Sequence, residues 1–187
     1  VAQAAPEEWP GLGALPAATQ RELGCVRALN PFLHTLVLDH PQVPRKWLAE
    51  ECRPYGAAFM QVAGNPRTPL EPLLKAAEAD EYYLSEVLRN PVFTLAKLQE
   101  LNLLAKAEVI SALLYGFTLD EAMAEAIVAS PGMDLGTHGE AFVTSTDLPF
   151  HVIERLVRAY PAKLGPFVVS NPNCTESLKV FLEPHLR

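Results

Sequence analysis

The sequence predicts an all-α solenoid, a stack of about seven repeats of about 25 residues that contain two short helices each. Three observations lead to this fold class: a proline that recurs at a constant interval, apolar residues at fixed distances from it, and a composition that favours helices. Ala and Leu, which are strong helix formers, dominate the chain, whereas strand-like alternation of Val, Ile and Thr is scarce. The 17 prolines suit many short helices, because proline is favoured at first helical positions.

One anchor residue marks each repeat. The first four anchors are prolines separated by equal steps of 25, and the next three follow after steps of 25, 30 and 26. The seven anchors are Pro16, Pro41, Pro66, Pro91, Gly116, Thr146 and Pro172. A period of this length is typical of solenoids, in which each repeat buries its apolar face against its neighbours.

Two further columns of the repeat are apolar and predict the core. The residues four before the anchors are Leu12, Val37, Val62, Val87, Ala112, Phe142 and Val168. The residues seven after the anchors are Leu23, Leu48, Leu73, Leu98, Met123 and Ile153. In the last repeat Lys179 holds this second position, and we expect the neighbouring Leu178 to be buried in its place.

The turns between repeats explain where each helix stops and starts. Asn precedes the anchor proline at Asn65, Asn90 and Asn171, and a residue before proline is disfavoured in the α conformation, so a helix ends there. Pro or Thr usually follows three residues after the anchor, where it can begin the next helix. For the third repeat this predicts one helix through Leu73, Leu74 and Ala77 and a second through Tyr83, Leu84 and Val87.

Two of these repeats resemble a known family. The segments Val-Ala-Gly-Asn-Pro-Arg-Thr-Pro at 62–69 and Val-Val-Ser-Asn-Pro-Asn at 168–173 are similar to the signature of the leucine-rich repeat variant family. The resemblance covers about residues 12–187 and implies a right-handed superhelix of alternating α and 3₁₀ helices, related in style to HEAT and armadillo arrays. Some members are associated with an iron–sulfur cluster held by a separate cysteine-rich segment, but this chain has three scattered cysteines, so we predict no cofactor.

The predicted organisation is a tail or cap at residues 1–11, followed by a single repeat domain at 12–187. An insertion near residues 130–140 interrupts the repeat and contains three of the ten glycines. Such an insertion is either a solvated loop or a loop that contacts a ligand. Asp134, His138 and Glu140 could suggest a metal site there, but their spacing matches no established motif, so no metal is predicted.

The surplus of negative charge is concentrated in the middle of the chain. Residues 76–140 contain three basic and eleven acidic side chains, whereas the whole chain has a formal charge of −7. This segment is either an ordinary solvated helix face or an acidic surface that attracts a basic partner. For the second interpretation, the predicted partner-binding residues are Glu86, Glu100, Glu108, Asp134 and His138.

An alternative function is nucleic-acid binding by a HEAT-like module. It requires several cations on one ridge of the repeats, where they could contact phosphates. The candidate cations are Arg45, Lys46, Arg53, Arg67 and Lys75. The acidic net charge disfavours this alternative.

No established catalytic or nucleotide-binding motif occurs in the sequence, which favours a non-catalytic protein-binding or scaffold module. Cys25, Cys52 and Cys174 are expected to be reduced structural residues, with a nucleophile or metal ligand as the alternative. Tyr82 and Tyr83 are expected to lie half in the core and half on the surface, with a stacking platform as the alternative. No uncharged apolar segment is long enough to cross a membrane, so we expect no transmembrane helix. Because reduced cysteines are typical of the cytosol, we expect a cytoplasmic protein.

Overall fold

The computed structural model describes residues 37–38 and 43–186. The predicted tail or cap at residues 1–11, the anchors Pro16 and Pro41, and Cys25 lie outside the described residues. Within the described part the secondary structure is entirely helical, with eleven α-helices and two 3₁₀ helices. They are α1 (Arg45–Glu51), α2 (Phe59–Gly64), α3 (Leu70–Ala79), α4 (Glu81–Leu88), α5 (Leu95–Glu100), α6 (Ala107–Gly116), α7 (Glu121–Val128), α8 (Gly139–Thr144), α9 (Phe150–Ala159), α10 (Pro161–Val168) and α11 (Glu176–Leu182), with 3₁₀ helices at Leu103–Ala105 and Glu183–His185.

The all-α prediction is therefore confirmed for these residues, and the helices are as short as the repeat requires. From Pro66 onward each stretch between successive anchors contains two α-helices. The third repeat has α3 and α4 at the predicted places, and α4 ends at Leu88, just before Asn90. None of the helices in residues 43–186 is long and apolar enough to cross a membrane.

The chain divides into two compact units, the first ending at Val92 and the second beginning at Phe93. In the first unit α4 packs against α3 and α2, and α1 packs against α2. The core between these helices contains fully buried Leu48, Phe59, Val62 and Leu73. Each such side chain stabilises the fold by about 1.5–3 kcal/mol relative to an exposed one.

The second unit, from Phe93, is built from α5 to α11. In it α10 packs against α8 and α9, while α9 also packs against α7. Phe142, Ile153, Leu164 and Leu178 are fully buried in its core. The unit has no disulfide within its described residues, so apolar burial is its main stabilising term.

The described residues of the predicted apolar columns are buried in both units, except at Met123 and Lys179. Every described residue four before an anchor is less than 9% exposed. In the second column Met123 is only half-buried, and Ala124 beside it is fully buried instead. In the last repeat Leu178 is fully buried, which confirms that it replaces Lys179 in the core.

The predicted helix starts are also confirmed. Pro69 is the N-cap residue of α3, and Thr94 and Thr175 are the N-cap residues of α5 and α11. The Thr94 hydroxyl accepts a hydrogen bond from the Lys97 N–H at 3.3 Å. Such a bond satisfies one of the N–H groups that the first helical turn leaves without a partner.

The three asparagines before the anchor prolines make the same set of hydrogen bonds. Asn65, Asn90 and Asn171 are 5%, 1% and 4% exposed. Each side-chain carbonyl accepts a bond at 2.9–3.0 Å from the N–H two residues later, which closes the turn. Each side-chain amide group also donates to backbone carbonyls of the preceding repeat. Asn65 donates to Leu38 (2.8 Å), and Asn90 donates to Ala63 (2.6 Å) and Asn65 (2.8 Å). Asn171 donates to Val143 (2.7 Å) and Ser145 (3.0 Å). Each Asn side chain thus closes the turn at the end of its own repeat and hydrogen-bonds to the previous repeat.

The insertion predicted near residues 130–140 is a loop at residues 130–138, and α8 begins at Gly139. This loop is packed against its own unit. The Gly132 N–H donates to the Leu104 carbonyl at 3.2 Å, and a Cβ atom at Gly132 would lie 2.5 Å from the same oxygen. Only glycine therefore fits this contact without a backbone shift.

Candidate functional site

The three predicted partner-binding glutamates lie in different surroundings. Glu86, in the first unit, is largely covered and forms an ion pair with Arg89 at 2.7 Å. Glu100, in the second unit, is exposed and forms an ion pair with Lys97 at 2.5 Å. Glu108 is exposed in the first turn of α6, where a negative charge stabilises the helix. Glu100 and Glu108 are therefore accessible to a partner, and Glu86 is less so.

The two predicted residues of the loop, Asp134 and His138, lie together but differ in access. His138 is 1% exposed, and its Nδ1 accepts a hydrogen bond from the Asp134 N–H at 3.2 Å. Its Nε2 lies 3.1 Å from the Ser111 hydroxyl, so the ring joins the loop to α6. Asp134 is accessible to a partner at the surface, whereas the His138 ring is buried and makes its hydrogen bonds within the second unit.

The Asp134 carboxylate is engaged within its own loop. It accepts hydrogen bonds from the Thr137 hydroxyl at 2.7 Å and from the Thr137 N–H at 2.9 Å. These bonds, with one from the Gly136 N–H, lower the pKa of Asp134 below its ordinary value. Among the described residues, Asp134, His138 and Glu140 do not bring three ligand atoms together.

A group of charged side chains that sequence analysis missed joins α7 to α9. His151 Nε2 lies 2.8 Å from the Glu121 carboxylate, and Arg155 forms an ion pair with Glu125. Glu121, Glu125 and His151 are the one set in the described residues whose ligand atoms lie close enough to hold a metal ion. Because the Arg155 guanidinium already binds Glu125, the arrangement is better suited to joining two helices by opposite charges.

These charged pairs follow the repeat. Glu121 and His151 are 30 residues apart, as are Glu125 and Arg155, and 30 is the step between the anchors Gly116 and Thr146. The two members of each pair therefore lie at equivalent positions of two successive repeats. A comparison of equivalent positions of the aligned repeats for opposite charge would have marked both pairs as candidates in the sequence.

The first unit carries a group of aromatic side chains around Tyr83. The Tyr83 ring is 7% exposed and packs edge-to-face against Phe59, with ring centroids 4.5 Å apart. Tyr55 and Tyr82 pack against the same ring at 5.3 and 5.4 Å, and both are nearly perpendicular to it. Tyr55 is 78% exposed and Tyr82 62% exposed. The prediction that Tyr82 and Tyr83 divide between surface and core is confirmed.

Tyr55 is held on the surface in an unusual backbone conformation. Its φ is 64°, a left-handed value that is uncommon for a bulky residue. Its N–H donates to the Tyr83 hydroxyl at 2.7 Å, and its own hydroxyl donates to the Asp80 carboxylate at 3.2 Å. Asp80 also caps α4 by accepting a bond from the Tyr82 N–H at 2.9 Å. The hydrogen bond to Asp80 and the negative charge of that carboxylate raise the pKa of Tyr55.

The cations of the nucleic-acid alternative are partly paired with acids. Lys75 forms an ion pair with Glu71 at 2.8 Å, and Lys46 lies 3.9 Å from Glu50. Arg45 donates from its Nε to the backbone carbonyl of Arg67 at 3.2 Å. Acids beside the lysines reduce the positive field that phosphate binding needs.

The described cysteines, Cys52 and Cys174, are both buried and free. Burial raises the pKa of Cys52 to about 11 and also raises that of Cys174. A nucleophilic cysteine needs the opposite shift, because the thiolate is the reactive form.

We therefore expect slow thiol modification in the native protein. In a Cys25→Ser, Cys174→Ser double variant at pH 8, where Cys52 is the remaining thiol of the three, Cys52 should react with an aromatic disulfide reagent about 100-fold more slowly than in urea, since so little thiolate is present. The rate should rise about tenfold per pH unit toward pH 11, which absorbance of the released thiol measures. Fast reaction at neutral pH would instead support a nucleophile or ligand.

No protein-family model, curated protein or solved structure matches this chain.

Proposed function

We propose that this chain is an α-solenoid of about seven repeats, similar to the leucine-rich repeat variant family, and that it binds a basic protein as a non-catalytic interaction or scaffold module. The observation that carries the proposal is the repeated contact between equivalent positions of successive repeats. Asn90 donates to Asn65, and Tyr55 donates to Asp80, both across 25 residues. A stack of repeats produces such contacts, because each repeat touches the next one at the same positions.

The second unit supports the same interpretation with its own contacts. Asn171 donates to the carbonyl of Ser145, across 26 residues, and Glu121 contacts His151 across 30. These separations equal the local anchor steps, so the contacts follow the repeat even where its length changes. The sequence period also continues through the junction at Val92, from Pro91 to Gly116.

The binding partner is inferred from charge. Exposed glutamates of the acidic segment include Glu81, Glu100, Glu108 and Glu140. Like charges spread over exposed helices attract an oppositely charged protein and increase its association rate by about 10–10³-fold. The nucleic-acid alternative has less support, because Lys46 and Lys75 each lie beside an acid.

The test is a pull-down from lysate of the source organism after nuclease treatment, with the wild-type chain and a charge-reversed variant. The variant carries Glu100→Lys, Glu108→Lys and Glu140→Lys, all at exposed positions. We expect the wild type to retain a basic protein at low salt and the variant to retain at least about tenfold less, because the attraction is reversed.

A matched variant controls for net charge. It carries Glu71→Lys, Glu176→Lys and Glu183→Lys, which change the charge equally but lie outside residues 76–140. It should retain the partner, and circular dichroism should show that both variants are folded. Equal retention by both variants would contradict the acidic surface, and nuclease-sensitive material in place of a protein would favour the alternative.

A further inference from the structure

We propose that Tyr55, Asp80 and Tyr82 form an arginine-binding site, in which the guanidinium group of a basic protein partner stacks on the tyrosines and pairs with the carboxylate. The inference rests on the proposed function, since it specifies which side chain of the basic partner is bound and where. We call these three residues the Tyr55 site. All of them belong to the first unit.

The aromatic part of the site is exposed but fixed. Tyr55 and Tyr82 are 78% and 62% exposed, and both rings pack against the buried ring of Tyr83. Two tyrosines held in place at the surface offer apolar area to a partner without the loss of much side-chain freedom on binding. Tyrosine and arginine are also among the residues that contribute most to protein interfaces.

The exposed Tyr55 ring stands on a strained backbone. A left-handed φ of 64° costs free energy for a bulky residue, and the surrounding contacts must compensate for it. Here two hydrogen bonds compensate for the strain. The Tyr83 hydroxyl accepts one from the Tyr55 N–H, and the Asp80 carboxylate accepts one from the Tyr55 hydroxyl. Strained residues held by their surroundings are concentrated at binding sites, which agrees with the proposal.

The charge of the site selects a cation. Each Asp80 carboxylate oxygen accepts one hydrogen bond, from the Tyr82 N–H and the Tyr55 hydroxyl, and each has a further lone pair for a donor. Glu81, the next residue, is exposed and adds negative charge. Arg53, two residues before Tyr55, is a local cation, but its Nε donates to the Glu50 carbonyl.

Arginine fits these groups better than lysine does. Its planar guanidinium stacks on aromatic faces and can present two N–H groups to one carboxylate, whereas the lysine ammonium is a compact and strongly hydrated charge. Cation–π attraction acts when the cation lies within about 6 Å of the ring centroid. The site thus combines an aromatic face with an acceptor, which are the two features that a guanidinium uses.

The experiment is an NMR titration of the full chain, with ¹³C-labelled tyrosine, using the peptide acetyl-Gly-Arg-Gly-Arg-Gly-amide. We expect the ring signals of Tyr55 and Tyr82 to shift with peptide concentration, while that of Tyr115, which is 77% exposed in the second unit, stays unchanged. Asp80→Asn should weaken the apparent affinity at least about fivefold, because the carboxylate is lost. A peptide with citrulline in place of arginine, which is neutral, should not shift the signals.

Three results would overturn the site. They are unchanged Tyr55 and Tyr82 signals, equal shifts with the citrulline peptide, and unaltered affinity in both Asp80→Asn and Tyr82→Ala. Tyr82→Ala removes a mostly exposed ring and leaves Tyr55, with its strained backbone, in place. In the pull-down, loss of the partner from Tyr82→Ala but not from Tyr115→Ala supports the site. If both Tyr82→Ala and Tyr115→Ala retain the partner and only the charge-reversed variant loses it, the site fails while the proposed function stands.

Discussion

Replacement of Asn90 by alanine should destabilise the first unit by about 3 kcal/mol. The change removes the two hydrogen bonds that Asn90 donates to the carbonyls of Ala63 and Asn65 and the one that it accepts from the Val92 N–H. Asn90 is 1% exposed, so water does not easily replace the lost bonds. Each buried group left without a partner costs about 1–3 kcal/mol, and part of this cost is relieved when the turn relaxes.

The measurement is urea unfolding followed by circular dichroism, which reports the helices of both units. Asn173→Ala is the control, because Asn173 is exposed and uses only its backbone N–H in the turn. We expect that variant to lie within about 0.5 kcal/mol of its parent. Equal stability of the two variants would show that Asn90 does not hold the repeats together.

Replacement of Gly132 by alanine should destabilise the second unit by about 3 kcal/mol. A Cβ atom at this position would lie 2.5 Å from the Leu104 carbonyl oxygen and 2.9 Å from the Ala105 carbonyl carbon. Both are backbone atoms of a buried segment, so no side-chain rotation can relieve the overlap. The loop must move away, and the hydrogen bond from the Gly132 N–H to Leu104 is then lost.

A second glycine of the same unit provides the control. Gly116 ends α6, and a Cβ atom there would meet no atom within 4 Å. Gly116→Ala should therefore stabilise the unit by about 0.5–1 kcal/mol, because alanine loses less backbone entropy in a helix. Thermal unfolding by circular dichroism distinguishes the two variants, and a stable Gly132→Ala protein would contradict the packed loop.

The packed loop shows a limit of reading glycines from sequence. Three glycines within ten residues predicted an insertion, and the insertion is present at residues 130–138. The sequence left open whether this loop is solvated or contacts a ligand. The structure buries Gly132 and His138 against residues 103–105 and Ser111 of the same unit. Their burial depends on segments that are distant along the chain, which local composition does not report.

The same distinction applies to the candidate sites. The excess of acids at residues 76–140 was visible in the sequence, but the low exposure of Glu86 and its ion pair with Arg89 were not identified there. The Tyr55 site joins residues 25 apart, and the charged pairs of α7 and α9 join residues 30 apart. The repeat already contained these separations, but which equivalent positions touch depends on how the helices pack.

The sequence by itself determined the helical class of the described residues, the presence of α3 and α4 in the third repeat, most of the buried columns and the turns at the Asn-Pro pairs. These features follow from local rules, because proline geometry, helix capping and apolar spacing act between residues that are close in the chain. Only the tertiary structure decided that Tyr55 is exposed beside Asp80, that His138 is buried, and that Gly132 lacks room for a side chain. Those outcomes depend on which repeat lies against which and on the rotation of each helix, and packing fixes both only when the whole unit folds.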